Sequence, residues 1–110
     1  MSLVWIYQDN NYRRADDLNP NQVLIMAGGG CDGIKPLMNY VLGNVPSAQH
    51  GKVSAKVYRD LDDVLIHFLI TMDNESKEIM IIVSKNPADT LFNYYTSSGE
   101  NIVNCDFSNQ

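Results

Sequence analysis

The sequence predicts one α+β domain over residues 1–110, a mainly antiparallel sheet with two helices packed on it. Three observations carry that expectation. The chain has 110 residues, 45% hydrophobic and 19% charged, enough to bury one core and too short for two. Residues 52 to 84 alternate or run apolar in strand fashion, and two separate segments carry apolar residues at helical spacing. The expected order is β-β-α-β-β-β-α, with a weaker strand at the end.

Taken in order, Leu3 to Gln8 is aromatic and β-branched and stops at Asp9-Asn10-Asn11, the mark of a strand closed by a turn. Residues 9 to 21 are polar, and Asn19-Pro20-Asn21 is a second break. Gln22 to Ala27 is a short apolar run, the pattern of a strand covered on both faces. The chain then breaks at Gly28-Gly29-Gly30.

Ile34, Leu37, Met38, Val41 and Leu42 fit the amphipathic helix template, with Asp32 as N-cap and Gly43 as C′ residue. Pro36 is tolerable if it lies in the first turn, where its missing N–H has no partner to lose. Residues 44 to 51 read as a loop. Val53, Ala55 and Val57 alternate with Lys52, Ser54 and Lys56, predicting a strand with one wet face, turned back at Arg59-Asp60-Leu61-Asp62. Val64 to Met72 and Ile79 to Val83, separated by Asp73 to Ser76, read as inner strands of a meander.

Asn86-Pro87-Ala88-Asp89 is a strong helix start, with an Asn cap, Pro at the first position and an acid where the helix dipole favours it. Leu91, Phe92, Tyr94 and Tyr95 supply its apolar stripe and Ser97-Ser98-Gly99 stops it; Ile102 to Phe107 alternates weakly. This order of elements is similar to that of the profilin-like group of folds, including PAS, longin and roadblock domains. The resemblance implies sensing, adaptor or inhibitor roles.

The net charge of −5 and pI near 4.7 disfavour nucleic acid, because Lys and Arg neutralising phosphates supply most of that affinity. Ten of the thirteen acids are Asp, and with twelve Asn they forecast short elements joined by capped turns. Two cysteines, Cys31 and Cys105, are too few for a disulfide scaffold, so free thiols and a soluble, cytoplasmic chain are expected. The longest apolar stretch, broken by His67, falls short of the roughly 20 residues of a membrane span.

No motif specifies catalysis, a metal or a cofactor. Gly28-x4-Gly33 has P-loop glycine spacing but continues as Ile34-Lys35, and the dinucleotide pattern Gly28, Gly30, Gly33 lacks the following parallel units. A strand, a glycine loop and a helix N-terminus can still cradle an anion, so Gly28, Gly29, Gly30 and Cys31 form an alternative ligand site. Cys31 near a helix start would have a lowered thiol pKa, but its only candidate bases are His50 and His67, and a satisfied sheet residue explains His67. The two histidines and two cysteines lack zinc spacing, and Asp60 to Asp63 lacks the glycine and glutamate of a calcium loop.

What remains is surface. Aromatics cluster at Trp5, Tyr7, Tyr12 and at Phe92, Tyr94, Tyr95, and of two adjacent helical tyrosines one must meet solvent. The expected function is a non-enzymatic module, such as an immunity protein, antitoxin or anti-defence inhibitor, holding a basic protein partner. Asp60, Asp62, Asp63, Tyr94 and Tyr95 are its candidate contacts. The alternative is a small-molecule or nucleotide sensor using the Gly28–Gly33 loop.

Overall fold

Six strands and three helices follow one another along the chain in the computed structural model, which describes residues 1–45, 51–96 and 99–108. The elements are β1 (Leu3–Gln8), β2 (Asn11–Arg14), α1 (Pro20–Ala27), α2 (Gly30–Gly43), β3 (Lys52–Asp60), β4 (Asp63–Thr71), β5 (Ser76–Ser84), α3 (Pro87–Thr96) and β6 (Glu100–Ser108). All pair antiparallel in one sheet of order β2-β1-β5-β4-β3-β6. The α+β class and the expected element order hold, with a helix pair where one helix was expected. His50 and the expected stop at Ser97-Ser98 lie outside the described residues.

The second strand is not where the apolar pattern put it. Asp9 and Asn10 both take positive φ (53° and 64°), the signature of a two-residue hairpin turn that Asx residues tolerate, and the polar Asn11–Arg14 returns along β1. Gln22 to Ala27, expected as a strand, is helix α1. Asn19 caps it, its Oδ1 accepting from the amides of Asn21 (2.9 Å) and Gln22 (3.3 Å), with Pro20 in the first position. Only Val23 and Ala27, four apart, are fully buried, so the run needs one stripe of cover and not two faces.

Helix α2 buries all five of its predicted core residues. It starts at Gly30, with Gly29 at the cap and Asp32 inside the first turn, three residues earlier than expected. Pro36 therefore sits in the second turn, where its missing N–H leaves the Asp32 carbonyl without its helical partner. Gly43 is the last helical residue and Asn44 the cap.

The sheet has two covered faces. Val4, Ile6, Val53, Ala55, Val57, Ile66, Phe68, Ile70, Ile79 and Ile81 form the larger core with α1 and α2. On the reverse, Leu65, Met80 and Ile82 make a smaller core under α3, surrounded by Trp5, Tyr7, Tyr12, Tyr58, Leu91 and Tyr94. β3, expected at the edge, is covered by β6; the register slips between Val57 and Tyr58, leaving Ile102 unpaired opposite them. A disulfide joins Cys31 on α2 to Cys105 on β6, correcting the expectation of free thiols.

Candidate functional site

The face under α3 gathers most of the polar and aromatic side chains singled out in the sequence. Helix α3 is anchored at its start: Asn86 Nδ2 donates to Asp89 Oδ2 (2.8 Å), and the buried Thr90 hydroxyl donates to Ser84 Oγ (2.9 Å). That anchor sets the helix phase. Tyr94 leans over β3 and β4, its ring 4.7 Å from Tyr58 and 5.5 Å from His67, and Tyr95 falls on the opposite flank and is 61% exposed.

The β3–β4 turn lies at the same end of the sheet as the start of α3. Asp60 and Asp63 face each other across the ladder, and Leu61 and Asp62 make the apex. Leu61 is 93% exposed with φ of 54°, a left-handed conformation that a γ-branched side chain enters at a cost. Asp60 and Asp63 share an apolar niche with Tyr58, Leu65, Thr90 and Tyr94; at about 10 Å³ it has room for one water at most. Asp62 and Asp63 border a second cleft with Leu61, Lys85 and Asp89. Asp60, Asp62, Asp63 and Tyr94 thus converge at one end, and Tyr95, its ring against that of Tyr94, lines the opposite flank away from the three aspartates.

Beneath α3, His67 is 8% exposed. Its Nδ1 lies 3.1 Å from the Tyr94 hydroxyl and its Nε2 lies 3.5 Å from Glu78 Oε1, long for a hydrogen bond. Burial lowers the His67 pKa, with Lys56 adding to the effect and Glu78 opposing it, so the ring is neutral at pH 7. Burial also raises the Tyr94 pKa, so its hydroxyl stays protonated and donates to Nδ1. A bare Nε2 lone pair facing Glu78 would be repulsive, which places the ring proton on Nε2. Tyr94 and Glu78 thus flank the two ring nitrogens of His67 and orient the imidazole between them.

The alternative site at the glycines has a different structure from the one expected. Gly28 and Gly29 join two helices, and the Gly29 amide donates to the Met26 carbonyl (3.1 Å). A Cβ on Gly33 would come within 2.3 Å of that same carbonyl oxygen, so α1 packs its C-terminal end where an anion would otherwise sit. Gly30 supplies a positive φ of 68°, and Cys31 is bonded to Cys105. The strand-loop-helix premise of an anion cradle, and the reactive thiol beside it, are both corrected. Among the described residues no three His, Cys, Asp or Glu side chains are grouped to hold a metal.

Elsewhere on the surface, Arg14 pairs with Asp16 at 3.2 Å, and Asp17 accepts from the Tyr40 hydroxyl at 3.0 Å. Sequence reasoning passed over Glu78, and its signal was the His67–Glu78 proximity that β4–β5 register creates. No family model, curated protein or solved structure matches this chain.

Proposed function

We propose that the chain is a non-catalytic binding module that grips a basic protein partner through the β3–β4 apex. The observation that carries this is Leu61, held almost fully exposed in a strained conformation between Asp60, Asp62 and Asp63. A hairpin apex with no partner favours Gly or Asn there, because neither has the steric cost of a leucine at positive φ. An apolar tip ringed by carboxylates complements a basic surface with an apolar socket: the charges set orientation and encounter rate, and the buried tip slows release. The inhibitor and immunity-type roles expected from the sequence are of this kind.

The compartment follows from the cysteines. Cytoplasmic placement was expected together with free thiols, and the Cys31–Cys105 bond removes the thiol part of that expectation, since structural disulfides persist where thiols are not kept reduced. We infer an oxidising setting. No helix among the described residues is long and apolar enough to cross a membrane.

The test is capture from an extract of the source cells at low and high salt, with wild type beside the D60N/D62N/D63N variant. The expected result is a basic protein held by wild type at low salt, weakened by salt and lost by the variant. Capture of the same protein by both chains, indifferent to salt, would overturn the reading.

A further inference from the structure

The flank of α3 away from the apex carries a second feature that the apex contact does not use. β1, the β1–β2 turn, the start of β5 and the end of α3 enclose an open cleft of about 350 Å³. Its walls include Tyr7, Tyr95, Glu78, Asp9 and Asn10. Tyr12 stands against Tyr7 with ring centroids 4.9 Å apart, and Tyr95 against Tyr94 at 5.0 Å. These are the two aromatic clusters of the sequence brought together from chain positions more than eighty residues apart.

Three properties of this cleft point to one ligand chemistry. Its aromatic walls are tyrosines, whose negative π faces attract cations. Its lining carries two carboxylates, Asp9 and Glu78, against one ammonium, Lys77, which leaves the cleft net acidic. Behind Glu78 lies His67, more than nine-tenths buried, whose Nε2 has no hydrogen-bond partner and faces Oε1 at 3.5 Å. Glu78 Oε1 lies over this ring, and the carboxylate is half exposed and open to a ligand. The Tyr7 hydroxyl is fixed as well, donating to Asn10 Oδ1 at 3.1 Å.

We infer that this cleft is a guanidinium site, which takes one arginine side chain of a protein partner between Tyr7 and Tyr95 and pairs it with Glu78. Arginine fits better than lysine, because a planar guanidinium stacks on a ring face while forming a forked pair with a carboxylate; an ammonium does neither. The site lies some six residues along the strands from Asp63, about 20 Å at strand rise, so one partner lying along α3 reaches both contacts. The inference does not rest on the apex reading, and either can fail alone.

The test is an NMR titration of the whole chain with N-acetyl-arginine amide, N-acetyl-lysine amide and free arginine, followed at the tyrosine ring and backbone signals. The expected result is saturable shifts at Tyr7, Tyr95 and Glu78 with the capped arginine, with lysine amide about tenfold weaker, a difference of about 1.4 kcal/mol. E78Q and Y95A, both at exposed positions, should each weaken capped arginine about tenfold while leaving the rest of the spectrum in place. D60N/D62N/D63N should bind it as wild type does, which separates this site from the apex. No saturation at these signals, equal binding of lysine amide, or unchanged binding by E78Q would each overturn the proposal. Free arginine binding about tenfold tighter than the capped form would overturn the protein source, assigning the cleft to a free guanidino compound.

Discussion

Replacing Gly33 with alanine gives opposite answers from helix propensity and from packing. By propensity, alanine inside a helix is better than glycine by about 1 kcal/mol. By packing, the new Cβ would stand 2.3 Å from the Met26 carbonyl oxygen, where carbon–oxygen contacts stop near about 3.3 Å, so α1 and α2 must part by about 1 Å. A gap of that size forfeits roughly a quarter to a half of each affected dispersion contact. The obstacle is backbone and cannot rotate away, so overpacking costs of about 1–3 kcal/mol apply at their upper end and outweigh the propensity gain. The expected net loss is about 1–2 kcal/mol, which at a urea slope near 2 kcal/mol/M lowers the unfolding midpoint by roughly 0.5–1 M. Gly43→Ala is the internal control: it ends the same helix with nothing within 4 Å of its added Cβ, and should be neutral or gain up to about 1 kcal/mol. An unfolding midpoint of G33A at or above wild type would refute the close helix crossing and reopen the glycines as a ligand loop.

Three further outcomes follow from the same structure. Breaking the Cys31–Cys105 bond, by C31S/C105S or a thiol reductant, removes a cross-link over 74 residues; the chain-entropy relation gives a loss of about 4.4 kcal/mol, read by thermal unfolding with and without reductant. Because burial depresses the His67 pKa, the unfolded chain binds the proton more readily than the native one. The stability this provides is complete above the ordinary value of 6.5 and is lost as pH falls from there toward the folded value; H67Q should flatten the wild-type slope in that window, and an unchanged slope would count against a neutral buried ring. Leu61→Gly relieves a left-handed conformation costing roughly 1–2 kcal/mol and adds about 0.5–1 kcal/mol of unfolded-state entropy, so unfolding should show a small net gain in stability while partner capture falls.

The β3–β4–β5 meander, helix α2 and the start of α3 were legible because each combines one clear periodicity with a turn or cap signal of its own. Helix α1 was not, because the short apolar run Val23 to Ala27 satisfies strand and helix patterns alike. The deciding signal was present: Asn19-Pro20 is the same cap-and-proline start as Asn86-Pro87. β2 was hidden by polarity, since only Tyr12 among its residues is even half-buried. The disulfide depends on α2 lying against β6, a contact between elements 74 residues apart that no local pattern encodes. For the candidate contacts, Asp60, Asp62 and Asp63 could be read from a turn, and the pairing of Tyr94 with His67 and the exposure of Tyr95 on the far flank required the phase of α3.

The central claim is that partners meet the α3 face and the β3–β4 apex, while α1 and α2 serve as core. Amide hydrogen exchange of the chain with and without the captured basic protein tests it directly. The account predicts new protection over residues 58–64 and 86–95, with exchange on α1 and α2 unchanged. Protection confined to α1, α2 and the glycines between them would contradict it.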